Sequence, residues 1–193
     1  MDGRILAGMA AMDDAERFHP ETLPEWRLWL AEHHDRGHGV WLVFWRRESG
    51  RPALSYEDSV LEALCFGWID ATRKVLDDER VMMWFAPRRP RSTWVRSNKD
   101  RVARLEAEGR MHPAGRALVE AAKANGMWTA LDDAEAGRVH PDLAARLAND
   151  QAASAAWDAL TDAARQRHLT DLALARTPGT VARRIDAVLD SLR

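Results

Sequence analysis

Six consecutive apolar residues, Val40-Trp41-Leu42-Val43-Phe44-Trp45, constrain this chain more than any other segment. Six residues entered through Gly39 and followed by Arg46-Arg47 suit a strand better than a helix. Successive side chains of a strand point to opposite faces, so a run that is apolar throughout is apolar on both. Such a strand belongs inside a sheet and needs cover on each side.

The flanking sequence supplies that cover. Upstream, Thr22 is placed to cap a helix whose first turn holds Pro24 and Glu25 and whose inner face carries Trp26, Trp29 and Leu30. Gly37 and Gly39 end it. Downstream, residues 48–52 read as a turn. Ser55 and Asp58 form a capping-box pattern ahead of Val60, Leu61 and Leu64, and Gly67 permits a sharp exit. Residues 68–76 and 80–86 read as a hairpin around Asp77-Asp78-Glu79. Pro87 and Pro90 close it and leave an extended arginine-rich segment. Ser97 with Asp100 repeats the capping pattern, and Pro113 opens a further helix that stops at Gly126.

The expected fold is therefore α+β. A small antiparallel sheet of residues 40–45, 68–76 and 80–86 packs with helices, and an all-helical C-terminal part follows. Residues 1–18 read as an N-terminal arm, 19–130 as the α+β core domain, and 131–193 as a helical segment beginning with an acidic linker at 131–137. In the last helix Val181, Ile185, Val188, Leu189 and Leu192 form one apolar stripe, expected to dock on the core.

Composition narrows the functional class. The chain has 193 residues, is 46% hydrophobic and carries a net charge of −2. That suits a globular protein and gives no overall attraction to nucleic acid. The one cysteine, Cys65, has no internal disulfide partner, which fits a reducing compartment. No apolar run approaches a membrane span, and no secretory leader is evident. A soluble cytoplasmic protein is expected.

Chemistry concentrates between residues 65 and 101. Between residues 88 and 101, Arg88, Arg89, Arg91, Arg96, Lys99 and Arg101 are opposed only by Asp100, with Trp94 among them. Guanidinium groups hold carboxylates and phosphates bidentately, and a tryptophan ring stacks on a planar group or on arginine. The segment also feeds a helix N-terminus near Ser97, which favours an anion. The alternative is a solvated charge run with internal ion pairs. Asp70, on a strand expected to be largely buried, needs a partner, and Arg73, Arg88 or Arg89 can provide it. That acid reads either as a positioned group at a pocket or as half of a structural ion pair. Cys65 lacks a nearby base in sequence and reads as inert. His33, His34 and His38 lie at a helix end, where Gly37 interrupts the i, i+4 spacing a metal would need; no metal is expected. Most tryptophans fall on inner faces, whereas Trp68, Trp84 and Trp94 lie near the arginines. No glycine-rich phosphate loop, dinucleotide fingerprint, zinc motif or serine elbow occurs, so no cofactor is expected.

Three patterns carry a family resemblance. Tyr56-Glu57 is followed by Ala63-Leu64-Cys65-Phe66-Gly67-Trp68-Ile69-Asp70. Pro87, Arg88, Ser92, Trp94 and Asn98 form the second, and Glu108, Gly109, Met111 and Gly115 the third. Together they resemble the bacterial family described as bacteriocin-protection, YdeI or OmpD-associated. The resemblance runs from about Phe18 to the end of the chain and is strongest over residues 54–128. Val95 stands where that family usually has serine. Near the C-terminus Pro178, Thr180, Arg184 and Ile185 match, while Gly179 and Val181 replace an acid and an arginine. The resemblance implies a role in tolerance to antimicrobial peptides or other stress, and no defined reaction.

The combined expectation is a protein that binds an anionic small molecule or peptide carboxylate without turnover. The expected ligand-binding residues are Trp68, Asp70, Arg73, Arg88, Arg89, Ser92, Trp94 and Asn98. Two alternatives stand beside it. One is an enzyme using Asp70 as acid or base with Arg88 and Arg89 clamping an anionic substrate. The other is a module whose exposed tryptophans meet a partner protein.

Overall fold

The computed structural model describes residues 14–193. The chain divides into two compact units. One takes the chain up to Pro90 together with Arg101–Ala121, and the other takes Arg91–Asp100 together with Ala122–Arg193. The fold is α+β, as expected.

The first unit is built on a four-stranded mixed sheet of β1 (Arg17–Phe18), β2 (Val40–Trp45), β3 (Trp68–Val75) and β4 (Arg80–Pro87), in the order β1-β2-β4-β3. The apolar run is the interior strand β2, buried at its first five positions. β3 and β4 form the hairpin. The sheet departs from the all-antiparallel expectation at one edge, because β1 runs parallel to β2 with Arg17 opposite Trp41 and Phe18 opposite Leu42. Two residues leave almost no periodic signal. Their pairing is extended by the Trp41 N–H, which donates to the Glu16 carbonyl at 2.9 Å. The rest of the expected arm, residues 1–13, lies outside the described residues.

Helices α1 (Leu23–His33) and α2 (Tyr56–Cys65) cover one face of this sheet. α1 buries Trp26, Trp29 and Leu30, the face expected from the spacing. The Trp26 ring meets Phe85 edge-on at 5.4 Å, and its indole N–H donates to the Ser59 carbonyl at 3.1 Å. A tryptophan this deep needs that acceptor, since an unmet buried donor is costly. The opposite face packs Trp41, Val43 and Met82 with Ala15, Leu76 and Trp84.

β3 is an edge strand, not a buried one. Its residues 71–73 are exposed. A bulge separates Asp70, opposite Phe85, from Arg73, opposite Met83. Two residues of β3 there face one of β4. The bulge therefore turns Asp70 and Arg73, three apart in sequence, to the same face.

α3 (Arg96–Ala107) and α4 (Pro113–Ala124) contribute residues to both units. Within the first unit, Gly115 of α4 sits against the end of α2, and a Cβ there would lie 2.2 Å from the Cys65 carbonyl oxygen.

The second unit is helical. Its core joins Leu143, Leu147, Trp157, Leu169, Leu172, Ile185, Val188 and Leu189. These come from α6 (Pro141–Ala148), α7 (Gln151–Asp158), α8 (Asp162–Ala173) and α9 (Pro178–Ser191). The apolar stripe of the last helix lies in this core, with Val181 and Leu192 at its margin. The acidic stretch read as a linker is ordered instead: residues Asp132–Glu135 form the short helix α5, with Ala134 buried. Helix α3 begins at Arg96, so Ser97 lies inside its first turn and does not cap it. The Arg96 N–H donates to both carboxylate oxygens of Glu135, at 2.9 and 3.1 Å. A distant acid has taken the place of the local cap.

Candidate functional site

The sheet face under α1 and α2 is longer than the helices that cover it. β2 places Val40, Leu42 and Phe44 on that face, and β4 places Phe85, Met83 and Val81 beside them. Trp26 covers the Phe85 end. Beyond the start of α2 the face opens into a cleft of about 610 Å³. Phe44, Val81 and Met83 belong to its floor, Leu54 and Tyr56 to one side, and Arg46, Arg47, Glu48 and Arg73 to the rest. The size is that of a small-molecule site.

The charge of this cleft is positive. Among the described residues three guanidinium groups line it against one carboxylate. Arg46 donates from Nη1 to the Asp78 carbonyl at 3.4 Å. The side chains of Arg47 and Arg73 have no hydrogen bond or ion pair among the described residues. Arg51 stacks on the lining residue Trp45, 4.5 Å from the ring centre.

Tyr56 joins the cleft to a partly buried charge cluster. Its hydroxyl donates to Asp70 Oδ2 in a short hydrogen bond. Arg88 is only 7% exposed, and its backbone N–H donates to the Gly67 carbonyl at 2.9 Å. Burial lowers the Arg88 guanidinium to about 10, and the Asp70 charge works against that shift. Arg88 is a cation at neutral pH all the same. Arg101 grips Glu57 bidentately, at 2.8 and 2.6 Å, and the Asp70 charge acts on it as well. That Arg101 hydrogen bond holds the Glu57 carboxyl below its usual range. Asp70 thus meets a phenol first, with two arginine charges around it.

Burial, the hydrogen bond to Asp70 and the charge of Asp70 push the Tyr56 phenol up to about 12. The folded value exceeds the unfolded one, so this stabilisation is complete below about pH 10 and is lost as pH rises through about 12. Tyr56 is the only tyrosine in the chain, which makes the titration readable by absorbance. We expect a midpoint near 12 while circular dichroism stays native, and a lower midpoint in Asp70→Asn. A native-state midpoint near 10 would contradict the hydrogen bond.

The expected site residues divide between the units. Trp68, Asp70, Arg73, Arg88 and Arg89 lie in the first, and Ser92, Trp94 and Asn98 in the second. Trp68 is fully buried beside Trp29, and its indole N–H donates to the His34 carbonyl at 3.1 Å. Arg73 lines the cleft, Asp70 accepts from its lining residue Tyr56, Arg88 feels the Asp70 charge, and Arg89 is exposed. Trp94 is 2% exposed and packs on Trp128 at 5.1 Å, with its N–H donating to the Met127 carbonyl. Asn98 is buried and Ser92 half-buried. Lys99 pairs with Asp132. The α3 N-terminus already holds the Glu135 carboxylate.

Arg46 and Arg47 were not singled out by sequence reasoning, and Tyr56 stood out only as the start of the first family pattern, not as a site residue. Their signal was slight: two arginines directly after the apolar strand, where its covered face runs out, and the lone tyrosine at a helix start.

Other groups are engaged structurally. Glu62, 4% exposed, is clamped between Arg27 and Arg110. Burial and the Glu62 charge raise the Cys65 thiol. α1 ends at His33, so His34 and His38 share no helical turn. His33 stacks on Trp29, and His34 packs edge-on against His112. Among the described residues no three His, Cys, Asp or Glu side chains are grouped to hold a metal ion. No described helix is long and apolar enough to cross a membrane.

Two family models match the chain. Residues 18–118 match the one described as Domain of unknown function (DUF8412). Residues 137–193 match the one described as Bacteriocin-protection, YdeI or OmpD-Associated, a partial but direct match to that family. Pro178, Thr180, Arg184 and Ile185 lie within the second match, whereas the three patterns of residues 56–115 lie within the first. No curated protein and no solved structure matches significantly.

Proposed function

We propose, for a chain that belongs to the DUF8412 family and whose C-terminal part is of the bacteriocin-protection, YdeI or OmpD-associated type, that it binds an anionic small molecule or peptide carboxylate in the arginine-lined cleft. It does so without turnover, as a cytoplasmic stress-tolerance protein. The carrying observation is the convergence of Arg46, Arg47 and Arg73 on one apolar-floored cleft. Such a cleft concentrates anions and offers paired donors to a carboxylate or phosphate. Tyr56, held by Asp70, adds an oriented hydroxyl at the wall. The Arg88 and Arg101 charges act on that acid. The cleft is favoured over the Arg88–Trp94 segment, because Trp94 packs on Trp128 and Glu135 holds the adjoining helix end.

Arg73→Glu tests the reading. Arg73 is exposed, so the variant should fold and melt like the parent. Its affinity for anions that raise the melting temperature of the parent should fall roughly tenfold or more, since a charge-assisted hydrogen bond is worth about 1.5–3 kcal/mol. Unchanged affinity, or a parent that no carboxylate or phosphate stabilises, would defeat it.

A further inference from the structure

We infer that the ligand of this cleft is an amphipathic anion, an aliphatic or aromatic chain ending in one anionic head; this rests on the anion-binding reading above. The floor and the margin of the cleft differ in chemistry. At the floor, Phe44, Val81 and Met83 carry the sheet's core face past the point where helices cover it, and Leu54 adds a side wall. These residues have no polar side-chain group to satisfy a hydrated ion. At the margin, Arg47 and Arg73 are exposed and Arg46 is half-exposed, with Glu48 the one acid among them.

A bare phosphate or acetate meets only the arginines. It leaves most of the roughly 610 Å³, including the space over the apolar floor, filled with water. A chain of several carbons fills that space and displaces the water while its head stays with the guanidinium groups. Each methylene so buried contributes about 0.8 kcal/mol, or about fourfold in affinity. An amine of the same length carries the wrong sign for three arginines. Carboxylate and phosphate heads share this chemistry, as does the C-terminus of a peptide ending in an apolar residue.

The test is calorimetric titration of the full chain with acetate, butyrate, hexanoate and octanoate, alongside inorganic phosphate, octyl phosphate, octylamine and a short peptide ending in free leucine. Octanoate should bind roughly 200-fold tighter than butyrate, from about fourfold for each of four methylenes. Octylamine should bind at least about tenfold more weakly than octanoate, as loss of a charge-assisted contact implies. Tight binding of octyl phosphate or of the peptide, on top of octanoate, identifies the source of the head group. Met83→Gln should flatten the dependence on chain length, whereas Arg73→Glu should weaken every anion alike. Equal affinity along the carboxylate series, or phosphate binding as tightly as octanoate, overturns the amphipathic assignment and leaves the anion site standing. Absence of binding by every anion overturns both. Binding of octylamine equal to that of octanoate also overturns the assignment.

Discussion

Trp26→Ala should lower the stability of the sheet-bearing unit by about 3–5 kcal/mol, the usual cost of emptying a tryptophan site in a core. Trp26 is fully buried where α1 crosses the sheet, in contact with Phe18, Trp29 and Phe85. Removing the ring opens a cavity that four elements must collapse into together. It also leaves the Ser59 carbonyl without the indole N–H at 3.1 Å, inside the start of α2. Trp26→Phe keeps most of the volume and should recover much of the loss, but not the hydrogen bond. Urea denaturation followed by circular dichroism reads both. A loss below about 1 kcal/mol for the alanine variant would contradict this packing.

Gly115→Ala should be nearly as damaging for the opposite reason. A methyl group there would sit 2.2 Å from the Cys65 oxygen, 2.8 Å from its carbonyl carbon and 3.0 Å from the Leu64 oxygen. All three are backbone atoms at the end of α2, so no side chain can swing aside. Either α4 retreats or the turn into β3 distorts. Overpacking of this kind costs about 1–3 kcal/mol and sometimes more. The turn is already constrained, since Gly67 has φ +80° and Leu118 fills the space its Cβ would need. Gly179→Ala is the matched control. Nothing lies within 4 Å of that position, and a Gly→Ala change without strain adds about 0.4–1 kcal/mol. Equal melting temperatures for the two variants would contradict the close approach of α4 to α2.

The part of this fold visible in the sequence is the part with period and caps. Val40–Trp45 could only be an interior strand, and it is one. Thr22 and Ser55 cap the helices that follow them, as their patterns predict. Contacts between distant positions were not visible. Arg17–Phe18 is a strand because Trp41 and Glu16 pair, not because two residues have a pattern. Residues 131–137 looked like a linker because they are small and acidic; their acids instead meet Lys99 and the α3 N-terminus. The site follows the same division. Asp70 and Arg88 stood out as an acid and a cation needing company. The partner that donates to Asp70, Tyr56, lies 14 residues earlier, across a helix and a turn. The bulge that aims Arg73 into the cleft depends on pairing with β4, which local sequence does not encode.

The central claim is that the anion site lies in the cleft over Phe44, Val81 and Met83. An amide chemical-shift titration with octanoate tests it most directly, because it places the ligand residue by residue. The account predicts saturable shifts at Arg46, Arg47, Tyr56, Arg73 and Met83, with saturation in Arg73→Glu only at roughly tenfold higher octanoate or above. Shifts confined to residues 91–99, or none at any residue, would contradict it.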